Sequence, residues 1–327
     1  MIKFLHLLSF FFFSGMIAFS QTYSESPSDF FFSDEVGDQP MLMSPGFISS
    51  GLDEAYGTLG PDGDEFYYCL RKNGMFSVIM ATRFHDGFWS YPEVVSFSGN
   101  YLDTSPFVSP DGEFLFFASN RPAQEGDGIL DWNIWSSKRG KDGQWLSAEL
   151  MLFSKDDRNE VSVSVDTNGV IYFSADYQGT TLTMNEDALD IFFVQPNEKG
   201  AWTEAVRLPE SVNSELPEKD PAISPDGKCL VFSSSRMGGE GTSDLYVSYK
   251  VEGEWTEAVS LGSKVNSGAY EGGAAFTSDG KLLIFTSSVP RDMPHQLKYS
   301  SIKKWLLGPG NGAGDIWYMD ASIILKE

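Results

Sequence analysis

The sequence predicts an all-β chain folded as a β-propeller of five four-stranded antiparallel blades. Three observations predict it. A turn dipeptide recurs five times, an apolar strand follows every copy, and a tryptophan stands at a fixed place late in four of the units. The composition agrees, with 32 Gly, 16 Pro, 26 Phe, 13 Tyr and 8 Trp among 327 residues. Aromatic side chains suit a pleated, half-buried surface, and Gly and Pro punctuate turns.

The dipeptides are Asp62-Gly63, Asp111-Gly112, Asn168-Gly169, Asp226-Gly227 and Asp279-Gly280, at steps of 49, 57, 58 and 53 residues. Each predicts a tight hairpin, because Asp, Asn and Gly all tolerate positive φ. The strands after them are Phe66–Cys69, Phe114–Phe117, Val170–Phe173, Leu230–Phe232 and Leu282–Phe285. Third strands open at Phe76, Asn133, Asp190, Asp244 and Asp315, and fourth strands at Trp89, Trp145, Trp202 and Trp255. Four short strands in a unit of about fifty residues is a propeller blade. A lone blade cannot bury its faces, so the units must stack in a ring, with each Trp as a packing anchor between blades.

Units two to four place the fourth-strand Trp 11 or 12 residues after the start of the third strand, which from Asp315 predicts a Trp near 326 or 327, where the sequence ends at Glu327 without one. The segment Met41–Ile48 is therefore expected to supply its outer strand, closing the ring without an open edge. Residues 40–327 divide into five units close to the later steps; six blades, the alternative, would match only the first. The domain plan is a signal peptide at 1–20, a poorly ordered lead-in at 21–39 and a single propeller domain at 40–327. Lys3, the apolar run Phe4–Phe19 and the small residues Ala18 and Ser20 carry the leader pattern. An uncleaved N-terminal anchor is the other reading of that run.

The net charge of -23 gives a surface that repels nucleic acid and anionic membrane, which argues against phosphate-backbone binding, and no membrane span is expected after the leader is removed. Two cysteines exclude a disulfide framework and a cysteine zinc site. Cys69 and Cys229 fall in blades that are not neighbours, so both are expected to be buried free thiols. No Gly-x-Ser-x-Gly or His-Glu-x-x-His occurs. His85 and His295 have no nearby sequence partner and read as surface residues. The glycines of 308–314 match no nucleotide-binding spacing and read as a flexible loop.

The second and fourth turns read Ser109-Pro-Asp-Gly112 and Ser224-Pro-Asp-Gly227, leading into Phe117-Ala-Ser-Asn-Arg121 and Phe232-Ser-Ser-Ser-Arg236. With the closing text Gly314-Asp-Ile-Trp-Tyr-Met-Asp-Ala321, they resemble the TolB-like Pro-Asp-repeat propellers of bacterial envelopes. The resemblance spans roughly 50–320. It implies an exported, non-catalytic binding or scaffold module, periplasmic or extracellular, monomeric, with an envelope protein or glycan as partner.

Eight residues before each turn stands an acid: Glu54, Asp103, Glu160, Glu218 and Glu271. In the family's architecture these acids should ring one mouth of the central channel. Three readings stay open. The preferred one has each acid accepting hydrogen bonds from loop amides, or pairing with Arg121 or Arg236. The second is a site for Ca²⁺ or Mg²⁺, since converging carboxylates repel and these ions favour oxygen ligands. The third is a propeller glycoside hydrolase or glycan-binding protein using the acids around the channel. No other cofactor is expected.

The last unit is irregular, with 36 residues between Asp279 and Asp315 against 22, 22 and 18 in the three units before it. Its extra segment holds Arg291, His295, Lys298, Lys303, Lys304 and Trp305, a basic stretch on an acidic protein. Long loops on rigid scaffolds commonly carry recognition, so this is a candidate recognition loop beside the plainer reading of a surface insertion.

Overall fold

The structure, a computed structural model, describes residues 31–32, 36–37, 39–72, 75–123, 131–154, 158–176, 188–198 and 201–325. The expected leader lies outside them. Among the described residues the first strand is β1 (Met41–Leu42), and five blades follow in sequence order. Blade 1 holds β2 (Asp53–Leu59), β3 (Glu65–Lys72) and β4 (Phe76–His85), edged by β5 (Phe88–Trp89) and β6 (Glu93–Val94). Blade 2 holds β7 (Asp103–Val108), β8 (Phe114–Ser119), β9 (Asn133–Lys138) and β10 (Glu149–Leu150). Blade 3 holds β11 (Asn159–Val165), β12 (Ile171–Asp176), β13 (Asp190–Val194) and β14 (Val206–Arg207). Blade 4 holds β15 (Glu218–Ile223), β16 (Cys229–Ser234) and β17 (Asp244–Val251), edged by β18 (Glu254–Trp255) and β19 (Val259–Ser260). Blade 5 holds β20 (Glu271–Phe276), β21 (Leu282–Ser287) and β22 (Asp315–Asp320), and takes β1 as its outer strand. The helix α1 (Tyr299–Leu306) lies between β21 and β22.

The ring closes as expected. Met41 pairs with Tyr318 and Leu42 with Trp317, antiparallel. Met43 then donates its N–H to the Ile316 carbonyl at 2.8 Å. Met43 and Ile48 are fully buried behind this seam. Phe31, from the expected lead-in, is buried there too, its ring 4.0 Å from Trp89 between centroids.

The Asp-Gly hairpins form, with one difference. Only the glycine takes the left-handed conformation, at φ between 70° and 77° in all five. The Asp contributes through its side chain: Asp111 Oδ1 accepts from Ser109 Oγ at 2.5 Å and from the Glu113 N–H at 3.0 Å. Asp226 and Asp279 repeat this with Ser224 and Thr277. The same hydroxyls accept the N–H of Phe114, Cys229 and Leu282, starting the next strand. The Ser/Thr-x-Asp-Gly text is therefore a side-chain-capped turn, of the kind short polar residues form with nearby backbone.

The outer strands do not run on from their tryptophans as the spacing predicts. Trp145 and Trp202 make isolated bridges to Arg139 and Pro196, and pairing resumes at Glu149 and Val206. In blades 1 and 4 the break falls between Trp89 and Glu93 and between Trp255 and Val259. The tryptophans do anchor neighbouring blades. Trp145 donates to the Tyr67 hydroxyl of blade 1 at 2.8 Å, and Trp255 meets Tyr172 of blade 3 edge-on at 6.2 Å. Trp89, Trp145 and Trp255 are buried, whereas Trp202 is only half-buried. By the same one-blade offset its neighbour in blade 2 is Phe116, which offers no hydroxyl. A cavity of about 450 Å³ lies there, walled by Phe114, Phe116, Met151 and Trp202. Both cysteines are buried free thiols, as expected.

Candidate functional site

The five acids of the sequence register are all buried, between 0% and 2% exposed. They stand at or near the start of the innermost strands but are not among the residues lining the channel cavities. Each carboxylate turns instead to the loop that leads into its own blade. Glu54, Glu218 and Glu271 accept both the N–H and the hydroxyl of the serine four residues earlier, Ser50, Ser214 and Ser267. Asp103 accepts from Ser98, and Glu160 from Ser154. Arg121 binds Asp103 at 2.6 Å and Arg236 binds Glu218 at 3.1 Å. These bonds are those of the loop-capping reading, and they spread the acids over five separate loops. Among the described residues, no group of three or more His, Cys, Asp or Glu is placed to hold a metal ion.

One of these carboxyls, Glu54, and its neighbour Asp315 are electrostatically unusual. Burial pushes Glu54 up to about 7, against the lowering hydrogen bonds from Ser50, with Asp315 and Asp53 adding to the rise. Burial also pushes Asp315 up to about 6, although the Gly310 N–H and Arg291 oppose it. Asp315 Oδ2 takes the Gly310 N–H at 2.7 Å, while its buried Oδ1 has no partner. The glycine-rich loop is thus pinned at several points. Gly314 N–H also reaches Asp53, and Asn311 reaches the carbonyls of Gly51 and Leu306.

What surrounds the channel axis is a second register that the sequence hides. Two residues after each acid, the inner strand enters the left-handed region: Tyr56 (φ 57°), Ser105 (52°), Ser162 (52°), Asp220 (55°) and Gly273 (56°). The pairing of every inner strand with its neighbour shifts at this point. These are β-bulges, and a non-glycine residue held there stores roughly 1–3 kcal/mol that the surrounding bonds must offset. All five residues line the channel.

Asp220 is the node of this ring. Its carboxylate accepts from Ser162 Oγ at 2.5 Å, Tyr270 Oη at 2.9 Å, Ser233 Oγ at 3.1 Å and Gly273 N–H at 3.1 Å. Ser162 and Ser105 lie 3.3 Å apart between hydroxyl oxygens, extending the chain into blade 2. Burial, and next the Asp220 charge, push the Tyr270 hydroxyl well above its ordinary value, so it stays protonated as a donor. Above the node the channel opens into a funnel of about 510 Å³. Its wall draws on all five blades: Tyr56 and Arg71, Thr104 and Trp132, Ser162 and Leu189, Lys219 and Asp220, and Tyr270. Arg71 donates Nε to Asp53 at 3.1 Å and lies 5.7 Å from the Tyr56 ring centroid. Lys219 Nζ lies 5.5 Å from that of Tyr270.

Reasoning from sequence found the acid two residues before each bulge but not the wall itself. The bulge positions share no residue type, so no motif marks them. The recognition-loop candidates are on the same face of the ring. Lys298 precedes α1, Lys303, Lys304 and Trp305 lie on it, and Arg291 braces its end. His295 is exposed in the loop before it.

No family model matches the chain, and no curated protein matches it. Among solved structures, a TolB-type protein of Agrobacterium tumefaciens is similar at 17% identity, with a TM-score of 0.47 over 82% of this chain and 90% of that one. TolB of Acinetobacter baumannii is similar at 14% identity and a TM-score of 0.45, covering 83% of this chain but only 57% of that one. An α-L-arabinofuranosidase of Lactobacillus brevis is similar at 9% identity and a TM-score of 0.48, over 84% and 92%. The blade count itself rests on the strand order above.

Proposed function

We propose that the protein is an exported binding propeller that recognises its partner or ligand at the funnel. The observation that carries this is the funnel's construction: a wide, rigid opening whose aromatic and charged wall comes from every blade, set on a ring of bulges cross-linked through Asp220. Pre-formed concave sites with a few placed polar groups are the usual form of ligand pockets. The leader pattern of residues 1–20 supports export, to the periplasm or beyond the cell. Among the described residues no helix is long and apolar enough to cross a membrane.

Binding is favoured over hydrolysis by the state of the funnel's carboxylates. Asp220 already accepts four hydrogen bonds, and Asp53 is paired with Arg71 and the Gly314 N–H. Glycoside hydrolysis needs one carboxyl to hand over a proton and another to attack or activate water. Neither group is set up for such a role. The test is capture from an envelope extract by the folded protein, read by mass spectrometry, against Arg71→Ala and Lys219→Ala. Loss of the captured species in these variants, with melting unchanged, supports the reading. Undiminished capture, or turnover of a glycan by the wild type, overturns it.

A further inference from the structure

We propose that α1 and the chain flanking it form a docking surface for an anionic lipid membrane. Tyr299, Ile302 and Leu306 recur at the spacing that puts them on one side of a helix. All three are exposed, Tyr299 at 82%. Met293, Leu297 and Leu307 extend the same apolar exposure before and after the helix. No residue of α1 is buried. The side next to Ile302 faces the protein, where Ser301 and Trp305 are half-buried.

The helix is held firmly despite its exposure. Arg291 Nη2 donates to the carbonyls of Lys304 and Trp305 at 3.1 and 2.8 Å, and Asn311 donates to that of Leu306 at 2.8 Å. These bonds satisfy carbonyls that a helix end leaves open. Ser301 Oγ accepts the Lys298 N–H at 3.0 Å at the other end. A surface element so well braced, yet presenting large apolar side chains to water, is shaped for contact with something outside the molecule.

Charge selects the occupant. Residues 288–314 carry Arg291, Lys298, Lys303 and Lys304 against a single acid, Asp292, in a chain of net charge -23. Among the described residues no carboxylate pairs with Lys298, Lys303 or Lys304. A basic helix with exposed Leu, Ile and Tyr fits the boundary between headgroups and acyl chains, with lysines reaching the anionic phosphates. Screening confines the opposing acids: their repulsion fades over a Debye length of about 8 Å at physiological salt. The helix sits on the funnel side of the ring, where the Leu307 backbone lies against Gly51. Docking through it would turn the funnel mouth toward the membrane plane.

The test is co-sedimentation of the mature chain with phosphatidylcholine vesicles, with and without about a third phosphatidylglycerol. The expected result is at least roughly tenfold stronger partition into the anionic vesicles, weakened by salt. Ile302→Asp with Leu306→Asp should abolish it, and Lys303→Ala with Lys304→Ala should remove the preference for phosphatidylglycerol. Melting temperatures of both double variants should match the wild type, since the changed side chains are exposed. Absence of partition, or partition untouched by the Asp variants, overturns the proposal. Helix-dependent capture of an envelope protein without vesicle binding would also overturn it, and would assign the surface to a protein partner.

Discussion

Tyr270, just ahead of the inner strand of blade 5, donates its hydroxyl to Asp220 of blade 4 at 2.9 Å, directly beneath the funnel. The bond joins two blades at a residue held in the left-handed region, so it works against local strain as well as between elements. Tyr270→Phe should cost about 1–3 kcal/mol, the value of one hydrogen bond to a buried charge. Asp220→Ala should cost more, because two serine hydroxyls, a phenol and the Gly273 N–H all lose their acceptor. Urea midpoints measure both. A Tyr270→Phe midpoint equal to wild type would mean that water replaces the bond.

Arg121 is the counterpart in blade 2. It pairs with the fully buried Asp103 and lies over Phe117 and Trp135 at 4.8 and 5.3 Å from their centroids. Arg121→Ala strands a buried carboxylate and should cost about 3–5 kcal/mol. The partly exposed Arg71–Asp53 pair should contribute under about 1 kcal/mol, so Arg71→Ala changes the funnel with little loss of stability. Equal costs at the two sites in chemical denaturation would contradict the burial argument.

Glu54 and Asp315 make stability fall with rising pH. Their folded-state values, about 7 and about 6, exceed the ordinary 4.5 and 3.8. The folded chain therefore binds more protons than the unfolded one across that window. Stability is full below about pH 4 and drains as pH climbs through 6 and 7, by on the order of 3 kcal/mol per group. Glu54→Gln should flatten this fall in urea midpoint between about pH 5 and about pH 8. An unchanged slope would show that Glu54 is not the titrating group.

Much of this was legible beforehand, for identifiable reasons. The Ser-x-Asp-Gly turns, the closing strand and the pairing of Arg121 and Arg236 with register acids depend on local spacing, which a single sequence displays. The funnel does not. Its wall assembles Tyr56, Ser162, Asp220 and Tyr270 from four blades, and the bulge that aligns them is a backbone event without a residue signature. α1 was also missed, because eight helical residues sit between proline- and glycine-rich flanks that read as loop. Its apolar spacing at Tyr299, Ile302 and Leu306 was the available signal.

The seam between β1 and β22 should behave as part of the cooperative ring rather than as a frayed end. Only two residue pairs make the ladder, yet Met43 and Ile48 behind it are fully buried. Met43→Ala should therefore cost about 2–5 kcal/mol through lost packing and a residual cavity. Leu152→Ala, at an 89% exposed position, should stay within about 0.5 kcal/mol. Hydrogen exchange adds a direct reading. The Met43 amide, bonded to the Ile316 carbonyl, should exchange only with global unfolding if the borrowed strand seals the ring. Exchange orders of magnitude faster than at the core strand β16 would show instead that the seam opens alone, leaving four blades and an unsealed fifth.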